Sequence, residues 1–408
     1  MLKCIIRSIL TYLGYDMVVF QHGDGRMNAR VLLTTVCTFL ILLFSALMPV
    51  SFAVADPILL HETGRLTSSP YPGLVHQITI DDNYIYVSLD DGGFEIRDKT
   101  TGIQLDQIRP GLDAYAIQFQ IRDNYAFVAD WNRFTVLDIS DKNNIVEVGG
   151  WNDWPHDDND YFALGTALQG DYCFLSILNY GIVTLDVSDP HAPVNTGFLP
   201  EPENEEGKGV RISTLYLLNQ PNRLLAASYR GSYVYDISDP NDLTLTESVP
   251  SYPTSRVVCD PVNELMYVGF AYVSSTMFKV YDISDPDSIV HLQTYGDPLP
   301  EGEQYSIRGF YRYGDYLFVT DGYREVHVLD YSDPENPEKV ASFPLPPDVN
   351  RFMSGFAIDG HTAYVGTGLS GIIMVDVSPL GIPEPGTLLL ASTGILGVVM
   401  AVRRRKRP

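Results

Sequence analysis

Carboxylates crowd into two short stretches of this 408-residue sequence, where they could bind a metal ion. The denser is Asp157-Asp158-Asn159-Asp160, with Asp153 just before it. The second stretch contains Glu201, Glu203, Glu205 and Glu206. Carboxylate oxygens are the hard ligands that Ca²⁺ prefers, so Asp157, Asp158 and Asp160 are candidate calcium ligands. Their spacing matches no known calcium loop, and a solvated acidic loop is the alternative interpretation.

Aromatic residues that could bind a ligand recur along the chain, often beside an arginine. The aromatic residues and their arginine neighbours are Trp131, Arg133, Tyr180, Tyr229, Arg230, Tyr272, Tyr323 and Arg324. Such rings stack on sugars or anchor a protein partner. The alternative is that they only cover packing between neighbouring structural units.

Familiar catalytic signatures are absent from the sequence. It contains no Gly-x-Ser-x-Gly, His-Glu-x-x-His or phosphate-binding loop. Cys173 and Cys259 fall in apolar strand-like sequence and are expected to be free buried thiols. The sequence therefore favours a binding protein over an enzyme and implies no certain cofactor beyond the possible Ca²⁺.

Net charge restricts the partners. The chain carries −24 at pH 7, and the end segments 1–55 and 381–408 carry +2 and +4, which leaves −30 on the residues between them. Such a field repels nucleic acid and anionic lipids and attracts cations or basic partners. Nucleic-acid binding is excluded on this ground.

The elements that position these residues form an internal repeat. Each unit has a turn, an aromatic strand, a loop and a strand that ends in aspartate. The aspartates, spaced 40 to 50 residues apart, are Asp98, Asp138, Asp186, Asp236, Asp282, Asp330 and Asp376. That period, with four short strands in each unit, predicts an all-β propeller of seven four-stranded blades. An aspartate common to every unit is expected to bond backbone rather than to catalyse.

The two ends of the repeat region predict how the ring closes. No outer strand follows Asp376, whereas an unassigned strand, Ile58–Thr63, precedes the first unit. We expect this strand to complete the last blade and leave no open edge. The loops bearing the aromatic residues and the acidic runs then share one face. Residues expected on innermost strands, and so along the central channel, are His76, Gln77, Gln118, Arg256 and Arg308.

The third strand of each unit resembles the LVIVD repeat family. The best copies are Ile182-Val183-Thr184-Leu185-Asp186-Val187-Ser188-Asp189-Pro190 and Ile372-Ile373-Met374-Val375-Asp376-Val377-Ser378. The first unit departs most, with Ile96-Arg97-Asp98-Lys99. The resemblance implies the propeller fold and brings no settled activity.

The N-terminal segment, residues 1–55, has the features of a secretory signal peptide. An apolar stretch from Val31 to Leu47 is followed by the small-x-small site Ala53-Val54-Ala55. Translation starting at Met27 would give a basic region of ordinary length. A retained membrane anchor is the alternative.

The C-terminal segment, residues 381–408, resembles the PEP-CTERM sorting signal. It contains Pro383-Glu384-Pro385, then sixteen apolar or small residues from Thr387 to Val402, then Arg403-Arg404-Arg405. The apolar stretch predicts a short transmembrane helix and the basic residues a cytoplasmic stop. The resemblance implies a Gram-negative bacterium whose exosortase cleaves near the motif. A plain membrane anchor is the alternative.

Together these features predict an exported protein, anchored transiently in the inner membrane and then delivered to the cell surface or extracellular matrix. Its propeller, residues 56–380, would bind a protein or polysaccharide. The alternative is a hydrolase or lyase acting at the mouth of the channel.

Overall fold

A computed structural model describes residues 57–68, 70–109, 115–154, 161–203, 209–250, 254–296, 299–334 and 336–381. In these ranges the chain is all-β, with 29 strands and one 3₁₀ turn at Ser378–Leu380. No helix in these ranges is long and apolar enough to cross a membrane. The segments predicted as signal peptide and sorting signal lie outside the described residues.

The strands are short and follow one another closely. The first ten are β1 (Ile58–Leu59), β2 (His61–Leu66), β3 (Gln77–Ile80), β4 (Tyr84–Ser88), β5 (Phe94–Asp98), β6 (Gln104–Ile108), β7 (Ala116–Arg122), β8 (Tyr125–Asp130), β9 (Arg133–Asp138) and β10 (Val146–Trp151). The next eight are β11 (Ala163–Gln169), β12 (Tyr172–Ile177), β13 (Gly181–Asp186), β14 (Val194–Pro200), β15 (Ile212–Leu217), β16 (Arg223–Ser228), β17 (Gly231–Asp236) and β18 (Thr244–Pro250). The last eleven are β19 (Thr254–Asp260), β20 (Leu265–Val273), β21 (Phe278–Asp282), β22 (Val290–Tyr295), β23 (Tyr305–Tyr313), β24 (Tyr316–Asp321), β25 (Glu325–Asp330), β26 (Glu338–Pro344), β27 (Phe352–Asp359), β28 (Thr362–Thr367) and β29 (Ile372–Asp376).

Most of these strands form four-stranded antiparallel meanders. Four of the sheets are consecutive: β3 to β6, β7 to β10, β11 to β14 and β15 to β18. Strands β19 to β26 form two further meanders that join into one larger sheet, where Ala271 and Val273 pair with Ser306 and Tyr305. The last four-stranded sheet has the order β2-β29-β28-β27.

The N-terminal strands complete the sheets at the end of the chain. Strand β2 pairs antiparallel with β29, as predicted for this part of the sequence. The predicted bounds were wrong, however, because the strand divides at Leu60. Strand β1 turns away to pair in parallel with β26 of the preceding unit, and the Leu60 side chain is buried between the two sheets. The N-terminal segment therefore joins two units at once.

The core consists of hydrophobic clusters between consecutive sheets, so the middle strands of each sheet are buried on both faces. Strand β8, for example, is buried from Ala126 to Asp130. One cluster joins Val75 and Ile85 of the first unit to Tyr364 and Ile372 of the last. Innermost strands also approach closely. At Gly165, for instance, a Cβ atom would lie 2.9 Å from the Thr214 Cα of the next unit, so a larger residue would push the strands apart.

The repeated aspartates have the structural role that their regularity suggested. Six of them accept a hydrogen bond of 2.8 to 3.0 Å from the backbone N–H of the serine two residues later: Asp138, Asp186, Asp236, Asp282, Asp330 and Asp376. Such bonds favour the ionised carboxylate and lower the pKa of Asp138 and Asp236, for example. The aspartates therefore shape the turn before each outer strand.

Candidate functional site

A cavity of about 710 Å³ lies among the innermost strands of the sheets. Its apolar lining comes from several units and includes Ile78, Leu164, Leu215, Val258, Phe310 and Met353. Its cationic and amide side chains are His76, Gln77, Gln118, Gln120, Arg211, Arg256 and Arg308. This size lies in the range of about 300–1,000 Å³ that is typical of small-molecule pockets.

All five residues predicted along the channel line this cavity. Gln77, Gln118, Arg256 and Arg308 lie on β3, β7, β19 and β23, and His76 immediately precedes β3. The innermost strands bring them together because each contributes its inward-facing side chains to one shared space. Arg211, which the sequence analysis missed, lies just before β15 and also lines the cavity.

The glutamines line the cavity, but their amides are engaged in joining neighbouring units. Gln77 accepts a hydrogen bond from Phe119 N at 3.0 Å, and its Nε2 donates to Phe119 O at 3.1 Å. Gln118 accepts from Thr166 N at 3.2 Å, and Gln120 donates to Thr166 O at 3.2 Å. These bonds connect β3 to β7 and β7 to β11, so the glutamines hold the wall of the cavity together.

His76 has a charged neighbour behind the cavity wall. Its Nε2 lies 3.7 Å from Asp90 Oδ2, a contact that becomes an ion pair when the imidazole is protonated. Its backbone carbonyl accepts a hydrogen bond of 2.8 Å from Ser354 Oγ on β27. His76 thereby occupies the junction between the first and last units.

Two of the cavity arginines have no carboxylate partner among the described residues. Arg256 and Arg308 are half-buried, and the Nε atom of each is buried with no hydrogen-bond partner in the described part of the chain. Arg308 lies over the ring of Tyr323 at 5.9 Å from its centre, and Arg211 lies over Tyr229 at 5.5 Å. Cation–π contacts of this kind orient a guanidinium group while leaving its N–H groups available.

The predicted aromatic ring is only partly present at the cavity, where Trp131 and Tyr229 contribute to the lining. Trp131 stacks on Phe162 at 4.1 Å and meets Tyr115 at 5.6 Å. Phe162 therefore covers one face of the half-buried Trp131, and stacking of a ligand on this residue stays a prediction. Tyr229 keeps 42% of its surface exposed.

The other three aromatic residues lie away from the cavity lining. Tyr180 stacks on Phe198 of β14, the outer strand of its own unit, at 4.5 Å. Tyr272 has a left-handed backbone, with φ of 63°, and its ring is 75% exposed. Tyr323 contacts the cavity only through Arg308. The turn geometry of each unit, rather than the position in the repeat, sets these directions.

The arginines beside these aromatic residues also lie off the cavity lining. Arg133 pairs with Glu147 on the adjacent outer strand. Arg324 pairs with Glu303 at 2.5 Å. Arg230 has a buried Nη1 atom with no hydrogen-bond partner in the described ranges, but it does not line the cavity. Arg133 and Arg324 therefore take no part in the cavity, and their role in binding a ligand elsewhere stays a prediction.

Two buried carboxylates that the sequence analysis missed, Asp130 and Asp321, are the last residues of β8 and β24. Burial raises the pKa of Asp130 to about 7, against the opposing hydrogen bond from Thr135 Oγ1 at 3.2 Å. Burial likewise raises the pKa of Asp321. The available signal was an aspartate at the end of an otherwise apolar strand, in Val128-Ala129-Asp130 and Val319-Thr320-Asp321.

The candidate calcium ligands Asp157, Asp158 and Asp160 lie outside the described residues. Within the described ranges, no group of three His, Cys, Asp or Glu side chains is arranged to hold a metal ion. Cys173 and Cys259 are free and buried, as predicted, and burial raises the pKa of both thiols.

Comparison with protein families identifies the repeat and the C-terminal segment. The LVIVD repeat model matches residues 114–153, 163–198 and 312–343. The model of the PEP-CTERM protein-sorting motif matches residues 381–406, which include Pro383 to Pro385 and Arg403 to Arg405. The chain contains LVIVD repeats and a PEP-CTERM sorting motif. Both resemblances inferred from the sequence are confirmed.

Solved structures similar to this LVIVD-repeat chain support a β-propeller scaffold. The computationally designed protein Ika8 has a TM-score of 0.53 at 11% identity, over 76% of this chain and 99% of its own. BamB from Moraxella catarrhalis has a TM-score of 0.50 at 14% identity, over 74% of this chain and 85% of its own. At such identities the likeness concerns the fold alone. Comparison with curated proteins gives no match.

Proposed function

We propose that the LVIVD-repeat region is a seven-bladed propeller. Dividing the large sheet where β20 pairs with β23 gives two four-stranded units, β19 to β22 and β23 to β26, and so seven units among the described residues, with β1 as an addition to β26. Seven hydrophobic clusters, each between two consecutive units, support the same number. Propellers of this kind carry function on a central channel and its surrounding loops.

The protein is exported, on this proposal, and becomes associated with the cell surface or extracellular matrix. The PEP-CTERM match supports processing by an exosortase-type enzyme near Pro383 to Pro385. Residues 1–55 would direct export as a signal peptide, and Thr387 to Val402 would anchor the chain until processing. Intact-mass measurement of protein extracted from the host surface tests both cuts, since it should begin near Asp56 and lack Arg403 to Arg405.

Its activity is binding, and the central cavity receives part of a polysaccharide. The single observation that carries this proposal is the convergence of Arg211, Arg256, Arg308 and Tyr229 on one cavity of about 710 Å³. A protein ligand is the alternative. A hydrolase or lyase is the alternative activity, for which His76, with Asp90 3.7 Å from its Nε2 atom, would be the general acid or base at the cavity.

A binding assay with extracellular polysaccharide from the host tests this function. We expect Tyr229→Ala to weaken retention of the full-length chain, because Tyr229 is exposed at the cavity and supports Arg211. The matched control is Tyr272→Ala, which removes a more exposed tyrosine that does not line the cavity. Equal retention of both variants and the parent would exclude the cavity as the site.

The same assay addresses the possible role of Ca²⁺. If Asp157, Asp158 and Asp160 hold an ion that bridges to an acidic polymer, chelation should release the polymer. Retention that survives chelation would assign binding to the cavity without a metal bridge.

A further inference from the structure

We propose that the cavity is an anion-binding site, whose arginines recognise a carboxylate carried by a sugar. This inference rests on the proposed binding of polysaccharide at the same cavity and names the chemical group that is bound there. It starts from the sign of the charge. The chain as a whole carries −24, yet the charged side chains in the described cavity lining are all basic: Arg211, Arg256, Arg308 and, when protonated, His76.

Two of the cavity arginines also lack an ion-pair partner among the described residues. Outside the cavity, carboxylates pair with Arg65, Arg97, Arg133, Arg223 and Arg324, whereas Arg122 and Arg312 donate to backbone carbonyls and Arg109, Arg230 and Arg351 have no carboxylate pair among the described residues. Arg256 and Arg308 have no such pair in the described ranges, although acidic residues outnumber basic ones 51 to 27 in the sequence. A half-buried guanidinium group that lacks a partner is left partly desolvated. The fold therefore holds two cations where an incoming anion could neutralise them.

The positions of Arg256 and Arg308 suit the binding of one shared anion. Arg256 and Arg308 lie on the innermost strands of adjacent units, and those strands contact each other directly. Tyr323 lies against Arg308 and limits its freedom. A planar guanidinium fork matches the two oxygens of a carboxylate, and pre-orienting it reduces the entropy lost on binding. The amide oxygens of Gln77 and Gln118 already accept backbone hydrogen bonds in the wall, so the arginines are the main recognition groups for an anion here.

The charge and the lining of the cavity together indicate the class of ligand. The long-range field of an acidic protein repels large polyanions, whereas the local field inside the cavity attracts a single anionic group. The cavity also offers apolar surface and the exposed ring of Tyr229 for the body of a sugar. A sugar carboxylate, such as that of a uronic acid, satisfies both features.

The experiment compares glucuronate with glucose, its neutral counterpart, by calorimetric titration of the purified full-length chain. We expect glucuronate to bind at least ten-fold more tightly than glucose, and less tightly as salt is raised. Arg256→Gln and Arg308→Gln should each weaken glucuronate binding at least ten-fold. Arg133→Gln is the control, because that arginine already pairs with Glu147 outside the cavity.

Two further measurements keep the outcomes distinct. Arg308→Lys retains the charge without the fork and should fall between the parent and Arg308→Gln, with an unchanged melting temperature. Acetate and sulfate, added as competitors without a sugar ring, should displace glucuronate.

Each outcome decides one of the two proposals. Equal affinity for glucose and glucuronate would overturn the anion site and leave polysaccharide binding standing. Binding of acetate or sulfate, lost in both glutamine variants, with no added affinity for either sugar would retain the anion site and remove the sugar. Binding of none of these probes would overturn the anion site, and the polysaccharide assay would then decide the proposed function separately.

Discussion

Some arginines outside the central cavity, here called rim arginines, differ from two arginines inside it in whether a carboxylate pairs with them. At the rim, Arg223 reaches Asp236 at 2.8 Å and Asp287 at 3.2 Å, and Arg65 reaches Glu62 and Asp348. In the cavity, Arg256 and Arg308 have no carboxylate partner in the described ranges. Arg223 and Arg65 therefore stabilise the fold through ion pairs, whereas we propose that the two central arginines bind a ligand.

The largest effect should come from removing the segment that closes the rim. Deletion of residues 57–66 removes β1 and β2 and so exposes the edges of both β26 and β29. Unpaired strand edges recruit other strands, so we expect aggregation or a much lower melting temperature in light scattering and calorimetry. Leu59→Thr, which keeps both strands and changes an exposed side chain, should change little. A deletion variant as soluble and stable as the parent would refute closure by this segment.

A buried rim pair should give the next largest effect. Arg97 is 3% exposed and binds Glu95, which is fully buried, at 2.7 Å. We expect Arg97→Met to lower the free energy of unfolding by about 3–5 kcal/mol, because it leaves the buried carboxylate of Glu95 without its ion-pair partner. The double variant with Glu95→Leu should recover most of this loss in chemical denaturation. If the single variant were as stable as the parent, the distinction between rim and centre would fail.

The same pair explains why the first repeat departs from the others. Arg97 also donates to Thr67 O at 2.8 Å and to Gly102 O at 3.0 Å, and so fastens the segment that leads from β2 to β3. That segment runs from the last sheet, which β2 completes, to the first unit, so only the first unit needs this attachment among the described residues. The sequence marked this unit as different, but its reason depends on a contact 30 residues away.

The buried carboxylate of Asp130 should make the stability of the protein depend on pH. Asp130 has a folded-state pKa of about 7, against 3.8 as the reference value, chiefly because it is buried. The folded protein then binds more protons than the unfolded chain between these values, so stability should fall as the pH rises from 4 to 7. Asp130→Asn should remove up to about 4 kcal/mol of this decline.

Denaturation at several pH values measures this effect. The charged groups that face Asp130 are Arg133 and Glu147. Asp98→Asn is a suitable control, since that carboxylate is exposed in a turn and its pKa is lowered. Parallel stability profiles for the parent and Asp130→Asn would show that Asp130 ionises freely in the folded protein.

The smallest effect on stability is expected from the cavity arginines. Arg256→Gln and Arg308→Gln should change the free energy of unfolding by no more than about 0.5 kcal/mol, because neither breaks an ion pair among the described residues. Chemical denaturation of each variant provides the value. A loss of about 3 kcal/mol, comparable to that of a broken buried pair, would mean that these arginines support the fold.

Much of the architecture could be predicted from the sequence because the pattern of each strand and turn occurs several times along the chain. Apolar runs such as Tyr125 to Asp130 marked strands buried on both faces, and the repeated aspartates marked the turns. Channel residues were found because position within a repeat determines the innermost strand. This reasoning located Arg256 and Arg308 without any information on their partners.

The directions of the turn side chains could not be predicted in this way. Trp131 and Tyr272 both have left-handed backbones, yet one stacks on Phe162 and the other faces solvent. Which neighbour a turn residue meets depends on the adjoining unit, and the repeat does not specify that. The sequence also did not reveal that Gln77 and Gln118 join the inner strands, since those bonds connect separate units.

A crystal structure of the protein grown with glucuronate tests the central claim most directly. We predict that the carboxylate lies within hydrogen-bonding distance of the guanidinium group of Arg256 or Arg308, with the sugar ring inside the cavity. Guanidinium groups paired instead with carboxylates of the chain itself, and a cavity free of glucuronate, would contradict it.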